Sequence, residues 1–249
     1  MQIEHPKKIY GLLGKNISYS FSKTYFTDKF QGLGLDNFSY QNFDITDISE
    51  FPGVLKTEHL SGLNVTIPYK ETAMPYLDKI SKKAKEIGAV NTIRFTKKGQ
   101  LKGYNTDFYG FQKALEPLIQ PHHTRALILG TGGASKAVAF ALTQLGIFYT
   151  IVSREEKPGM IDYNRINATT FDNYHIVINC TPLGTHPNVL ECPPLPYEYF
   201  TSKHIAFDLV YNPSETEFMK RAANFGAVTK NGYEMLVFQA EKAWRIWNK

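Results

Sequence analysis

The sequence predicts an α/β protein of two domains, the first built on a mixed sheet and the second on a parallel one. Three observations lead there. Up to about residue 105, short apolar runs alternate with amphipathic stretches and turn signals. From about Phe108 the apolar runs become continuous over strand length, at 125–129, 147–152, 175–179 and 204–210, as expected of strands buried on both faces of a parallel sheet. Finally, 249 residues that are 43% hydrophobic and 20% charged supply enough material for two small cores and argue against disorder.

The elements follow in order. Residues 9–13 read as a strand, 22–30 as a helix stopped by Gly32 and Gly34, 39–43 as a second strand, and 63–67 as a third ended by Pro68. Residues 89–95 and 100–103 form a hairpin through Lys98-Gly99. A helix from Phe108 ends near Pro117, and a strand at 125–129 leads into a helix over 132–145 capped by Gly146. The last helix spans 234–247, with Leu236, Phe238, Ala240, Ala243, Trp244 and Trp247 on its apolar face, and is expected to return to the first domain. The expected boundaries are 1–107, completed by 233–249, and 108–232.

Charge and cysteine usage narrow the function classes. The formal net charge is +5, but the densest basic cluster is Lys82, Lys83 and Lys85, which reads as the solvated face of a helix, so no nucleic acid partner is expected. Cys180 and Cys192 are too far apart for a redox CxxC or a metal-ligand pair, so no metal is expected and a reducing, cytoplasmic setting fits. The first residues carry no apolar leader. The apolar stretch 126–152 is interrupted by Gly130, Gly132, Gly133, Lys136 and Gly146, which excludes a membrane span there.

The segment Gly130-Thr131-Gly132-Gly133-Ala134-Ser135 follows a strand and opens a helix. Glycines there allow a tight turn and the close approach of a pyrophosphate to backbone N–H groups at the positive helix end. The plain alternative is an ordinary glycine-rich turn, but the strand, helix and next strand have the lengths of a Rossmann-type, doubly wound dinucleotide-binding domain. The next strand ends at Val152, followed by Ser153-Arg154. With no acid at the strand end to bond a ribose 2′-hydroxyl, this pair suits a 2′-phosphate and hence NADP(H). Glu155 and Glu156 oppose that anion, and Arg154 with Glu155 could equally be a solvated pair.

In the first domain, Asn64 and Thr66 alternate with apolar neighbours and would share a strand face. Lys70 follows at the start of an expected helix, a setting that favours proton transfer. A surface lysine is the alternative. Asp107 opens a helix and is either its N-cap or a functional acid. Asn91, inside an apolar run, needs a partner from backbone or ligand.

Taken together, Ser18-x-Ser20, Asn64-Val-Thr66-Ile-Pro68-x-Lys70, Ala89-Val-Asn91-Thr92, Gly103-x-Asn105-Thr106-Asp107, the glycine-rich turn, Asp208-Leu-Val-Tyr211-Asn-Pro213, Asn231-Gly232 and Gln239 occur in an order that resembles the shikimate dehydrogenase family over the whole chain. The resemblance implies a substrate-binding domain followed by an NADP-binding one, and reversible reduction of 3-dehydroshikimate to shikimate. It implies Lys70 and Asp107 as the catalytic pair and Ser18 and Ser20 as the carboxylate site, with Thr66, Asn91, Tyr211 and Gln239 around the substrate ring. Gly130, Gly132, Gly133, Ala134, Ser153, Arg154 and Gly232 would then border the cofactor. The partner is a small-molecule substrate, and the chain is expected to act as a monomer or homodimer. Three departures stand out: Phe21 and Tyr25-Phe26 replace a usual Pro and His-Asn, Thr131 replaces Ala, and Ser153-Arg154-Glu155 replaces Asn-Arg-Thr. Dual activity on quinate, preference for NAD, and a non-catalytic dinucleotide-binding regulator are the alternatives.

Overall fold

The computed structural model describes residues 7–18, 20–155 and 157–249. The chain divides into two compact units, one running to Thr106 and joined by Ala240–Lys249, the other Asp107–Gln239. Asp107 and residues 233–239 therefore fall with the second unit.

The first unit contains β1 (Lys8–Gly14), α1 (Phe21–Gly32), β2 (Phe38–Asp44), α2 (Phe51–Val54), β3 (Leu60–Val65), β4 (Lys79–Ile80), α3 (Lys82–Ile87), β5 (Thr92–Phe95) and β6 (Leu101–Tyr104). Its sheet runs β2-β1-β3-β5-β6-β4. β1 is parallel to both β2 and β3, whereas β5 is antiparallel to β3 and to β6, so the sheet is mixed. The hairpin between β5 and β6 turns at Gly99, whose N–H bonds the Thr96 carbonyl.

Two apolar clusters hold this sheet. On one face Leu13, Leu63, Val65, Phe51 and Ile93 pack together. On the other, Tyr10, Phe26, Phe30 and Tyr40 form an aromatic cluster that Ala240, Ala243 and Trp247 complete. Trp247 lies over Gly62, where any side chain would collide with the indole, and its Nε1 donates to the Ile93 carbonyl at 3.0 Å. The C-terminal part of the last helix is thus built into the first core, as its apolar face predicts.

The second unit contains α4 (Asp107–Leu115), β7 (Arg125–Leu129), α5 (Gly133–Gln144), β8 (Phe148–Ser153), β9 (Met160–Asp162), α6 (Ala168–Asn173), β10 (Ile176–Asn179), β11 (Ile205–Asp208), α7 (Glu217–Asn224), β12 (Val228–Lys230) and the start of α8 (Tyr233–Trp247). All its strands are parallel, in the order β12-β11-β10-β7-β8-β9. Winding outward in both directions from β7 is the Rossmann-type order, with its switch point between β7 and β10. The central strands β7, β10 and β11 are buried almost throughout, which is why their sequences are apolar without alternation.

Two local features differ from expectation. No helix begins at Lys70: β3 ends at Val65, and 67–73 is a run of turns leading to a 3-10 helix at Met74–Tyr76. The helix-end argument for Lys70 therefore does not apply. Also, residues 154–159 join the parallel strands β8 and β9, and among the described residues of that connection there is no crossover helix. The short hop suffices because β9 pairs only with the last three residues of β8, Ile151 to Ser153. Among the described residues, no helix is long and apolar enough to cross a membrane.

Candidate active site

In the first unit the sheet directions gather several segments at one edge. β1 and β3 are parallel and end together. β5 begins where β3 ends, with Thr92 opposite Asn64, and Tyr104 at the end of β6 lies opposite Thr92. The segments carrying Ser18 and Ser20, Thr66 and Lys70, Asn91, and Asn105 and Thr106 all leave the sheet there.

Ser18 and Ser20 sit in the loop between β1 and α1. The Asp44 carboxylate at the end of β2 accepts from the Asn16 and Ile17 N–H groups at 2.8 and 3.0 Å, and Asn42 Nδ2 donates to the Ile17 carbonyl at 2.8 Å. Ser20 occupies the N-cap position of α1, yet its side chain makes no capping bond. Its Oγ is buried without a hydrogen-bond partner among the described residues. A buried hydroxyl of this kind wants a partner, and the first turn of α1 carries no acidic residue that would repel an anion. Ser18 is exposed.

Asn91 is buried at the centre of the edge. Its Oδ1 accepts from the Thr106 N–H at 2.6 Å and from the Thr92 hydroxyl at 3.1 Å, while its Nδ2 donates to Thr106 Oγ1 at 3.0 Å. Asn64, also buried, donates from Nδ2 to the Asn91 carbonyl at 3.3 Å and accepts from the Tyr40 hydroxyl at 2.8 Å. The Thr66 N–H extends the ladder to the Leu13 carbonyl at 2.9 Å. Lys70 is half-buried, and its carbonyl accepts from Val90 N–H at 2.8 Å, one residue before Asn91. Asn64, Thr92 and Thr106 act as supports for Asn91, and their signal in the sequence is polar side chains beside or inside apolar runs.

The second unit carries a cavity of about 460 Å³ at the end of its sheet, walled by Gly130, Thr131, Gly132, Ser153, Arg154, Glu155, Lys157, Tyr163 and Thr181 among others. Gly130 has φ of 103°, a conformation side chains avoid, and its N–H bonds the Val152 carbonyl at 2.9 Å. A Cβ on Gly132, the N-cap of α5, would meet nothing within 4 Å, so that backbone is open to a ligand. Gly133 and Ala134 form the first turn of α5. Ser135 is accommodated in the third fingerprint position because its hydroxyl donates to the Gly132 carbonyl at 2.6 Å.

β8 ends at Ser153, whose Oγ accepts from Glu155 N–H at 3.4 Å. Asp162, beside it on β9, has its carboxylate engaged by the N–H groups of Asn164 and Arg165 at 2.8 and 3.2 Å. Arg154 and Lys157 thus face the cavity with Glu155 as the opposing charge, while Glu156 lies outside the described residues. The Tyr163 phenol is pushed up to about 12 by burial and further by Cys180, with Arg154 pulling it back. Tyr163 and Thr181 carry no sequence signal of their own, since each reaches the cavity only through the sheet order.

Asp107 opens α4 and is buried, and Gln239 is buried on α8. The two helices meet at Gly110, where a Cβ would run into the Met235 carbonyl and touch Gln239. Tyr211 is half-buried just after β11. Gly232 lies so close to the Leu209 carbonyl that no side chain fits.

These arrangements meet independent matches. The family model for the shikimate dehydrogenase substrate binding domain matches residues 12–93. A protein of Caldanaerobacter subterraneus subsp. tengcongensis named shikimate dehydrogenase (NADP(+)) is 37% identical over 99% of this chain and 94% of its own length. The chain belongs to the shikimate dehydrogenase family. A solved shikimate dehydrogenase in complex with NADP+ superposes with a TM-score of 0.85 at 34% identity, covering 97% of this chain and 90% of the other. The Thermus thermophilus shikimate 5-dehydrogenase in complex with NADP(H) and shikimate gives 0.84 at 33% identity, covering 96% and 93%.

Against the family pattern, the departures on α1 have a local explanation. The Phe21 and Tyr25 rings stack at 5.3 Å, the Tyr25 hydroxyl donates to Glu241, and Lys29 pairs with the same carboxylate at 2.6 Å. The aromatic pair thereby ties α1 to the C-terminal part of α8. Thr131 is exposed and needs no compensation.

Proposed function

We propose that this protein catalyses the reversible, NADP-dependent reduction of 3-dehydroshikimate to shikimate. In this reading the first unit supplies Ser18, Ser20, Thr66, Lys70 and Asn91 to the substrate, and the second binds the dinucleotide and supplies Asp107, Tyr211 and Gln239. The observation that carries the substrate half is the Ser20 hydroxyl, buried and without a partner among the described residues at the N-terminus of α1, where a small carboxylate would complete it. The printed names and bound ligands of the relatives support the same reaction. The residues of the second unit fit NADP(H): an open glycine backbone at a helix N-terminus, β8 ending on Ser153 rather than on an acid, and Arg154 with Ser153 beside the cavity.

When bound, NADPH supplies the hydride. Lys70 Nζ gives a proton to the carbonyl oxygen during reduction and takes it back during oxidation. Asp107 is the acidic residue of the catalytic pair and bonds a substrate hydroxyl. Ser18 and Ser20 bind the carboxylate, and Thr66, Asn91, Tyr211 and Gln239 orient the ring. Gly130, Gly132, Gly133 and Ala134 admit the pyrophosphate, Arg154 and Ser153 hold the 2′-phosphate, and Gly232 borders the cofactor. Cys180 and Cys192 are both free, which suits a cytoplasmic setting.

The test is NADPH oxidation in the presence of 3-dehydroshikimate, by the wild type and by Lys70→Ala. The variant should lose on the order of 10²–10⁴-fold in kcat with little change in KM. A wild type that does not turn over would sink the activity. Near-native kcat in the variant would remove Lys70 from the chemistry.

A further inference from the structure

At the end of β11 the second unit buries a carboxylate, Asp208, that the reaction as described does not use. Its Oδ1 accepts from Val210 N–H and from Asn179 Nδ2, both at 3.0 Å, and its Oδ2 accepts from the Thr216 hydroxyl at 2.6 Å. All three partners are neutral donors. Burying a carboxylate is unfavourable, and neutral donors compensate it less than an ion pair would. Burial accordingly pushes its pKa up to about 6, while the three hydrogen bonds pull it back.

Each bond fixes a different segment, and the one from Asn179 reaches the cavity edge. Asn179, held through its Nδ2, turns its Oδ1 toward the Thr181 N–H at 3.0 Å and the Thr181 hydroxyl at 2.6 Å. The Thr181 hydroxyl in turn accepts from Leu183 N–H at 3.3 Å. Thr181 and Leu183 are wall residues of the dinucleotide cavity. The bond to Val210 N–H fixes the backbone immediately before Tyr211. Because the Thr216 hydroxyl donates to Asp208, its lone pair is free to accept from Met219 N–H at 3.3 Å and cap α7. An asparagine of the same shape could keep the two bonds on one oxygen, but its NH2 would face the Thr216 hydroxyl, which would have to reverse from donor to acceptor.

We infer that Asp208 is a positioning residue for the reaction: its buried carboxylate registers the Thr181–Leu183 wall of the dinucleotide cavity against the segment that carries Tyr211. This rests on the function proposed above. A loop misplaced by about 1 Å can lower rates by roughly 100-fold, so the expected effect is large.

The experiment compares wild type, Asp208→Asn, Thr216→Val and Thr216→Ser. It measures NADP+ affinity by calorimetry, KM and kcat with shikimate, and Tm. Asp208→Asn should weaken NADP+ binding by about tenfold or more and raise KM for shikimate. Thr216→Val, which keeps the carboxylate but removes one donor, should move both in the same direction by less, and Thr216→Ser should restore them. A purely structural carboxylate would lower Tm while leaving the constants of the folded protein native, and that result overturns the inference. Native constants in Thr216→Val overturn it too, should Asp208→Asn fail to fold. A wild type that binds NADP+ but does not oxidise shikimate would refute the proposed reaction, while the calorimetry still judges Asp208. A wild type that binds no dinucleotide would refute both.

Discussion

Replacing Ser20 with alanine separates a capping serine from a ligand-binding one. A serine that caps a helix typically loses about 1 kcal/mol of stability on conversion to alanine. Ser20 makes no capping bond, and its buried Oγ has no partner among the described residues, so Ser20→Ala removes no bond from the protein. Tm should therefore hold or rise slightly. A bound carboxylate, by contrast, would lose a hydrogen bond to a charged group, about 1.5–3 kcal/mol. At about 1.4 kcal/mol per factor of ten, KM for shikimate should rise about 10- to 100-fold, with kcat largely kept if the bond persists through the transition state. Steady-state kinetics with shikimate and NADP+, paired with thermal unfolding, reads both quantities. A lower Tm with unchanged KM would refute the reasoning and make Ser20 a helix cap.

Two further expectations concern the second unit. Arg154→Ala should sharply lower kcat/KM with NADP+ and barely change it with NAD+. A wild type that prefers NAD+, or a variant that keeps its NADP+ preference, makes Arg154 a surface residue. Before β7, β10 and β11 the rings of His122, His123, His175 and His204 form a chain with centroid separations of 4.1 to 5.3 Å. Burial above all holds His123, His175 and His204 below the ordinary range. The unfolded chain then binds more protons below about pH 6.5, so their stabilisation is present above that pH and is lost as the pH falls. Asp208, raised by burial to about 6, acts in the opposite sense, since the folded state takes up its proton first. Between about pH 7.5 and 6.5 the histidines begin to titrate in the unfolded chain while Asp208 is still largely ionised, so Tm should fall over that window, and a flat profile there would refute the assignment.

The parts legible in sequence are those whose cause is local. β7, α5 and β8 are readable because buried parallel strands are apolar throughout and Gly130 meets a backbone requirement. The last helix is readable from its spacing, although Met235, Gln239 and Ile246 are buried on it beside Ala240, Ala243 and Trp247, while Leu236, Phe238 and Trp244 are not fully buried. The Lys70 segment reads as a helix but is not one, because its turns close one at a time. Ala73 N–H reaches Tyr69 and Met74 N–H reaches Glu71, while the Tyr69 hydroxyl anchors the stretch to the Ile45 carbonyl from another strand's end. β9 has only three residues and exists through its pairing with β8, which no window of its own sequence reveals. Of the site, the candidates at strand ends come from motif order. Their supports, Asn64 with Asn91 and Asn179 with Asp208, depend on residues 27 and 29 positions apart meeting across a sheet.

The bond from Trp247 to Ile93 spans 154 positions of chain. A ring placed so late inside so early a core sets an order of events during synthesis. Everything the second unit needs from Asp107 to Gln239 has been made before Trp247 is added, so the later half can consolidate first. Until then Tyr10, Phe26 and Phe30 lack the part of their packing that Ala240, Ala243 and Trp247 supply. The nascent chain therefore carries a sticky intermediate through most of its translation, and shortening that tail should be felt first as aggregation.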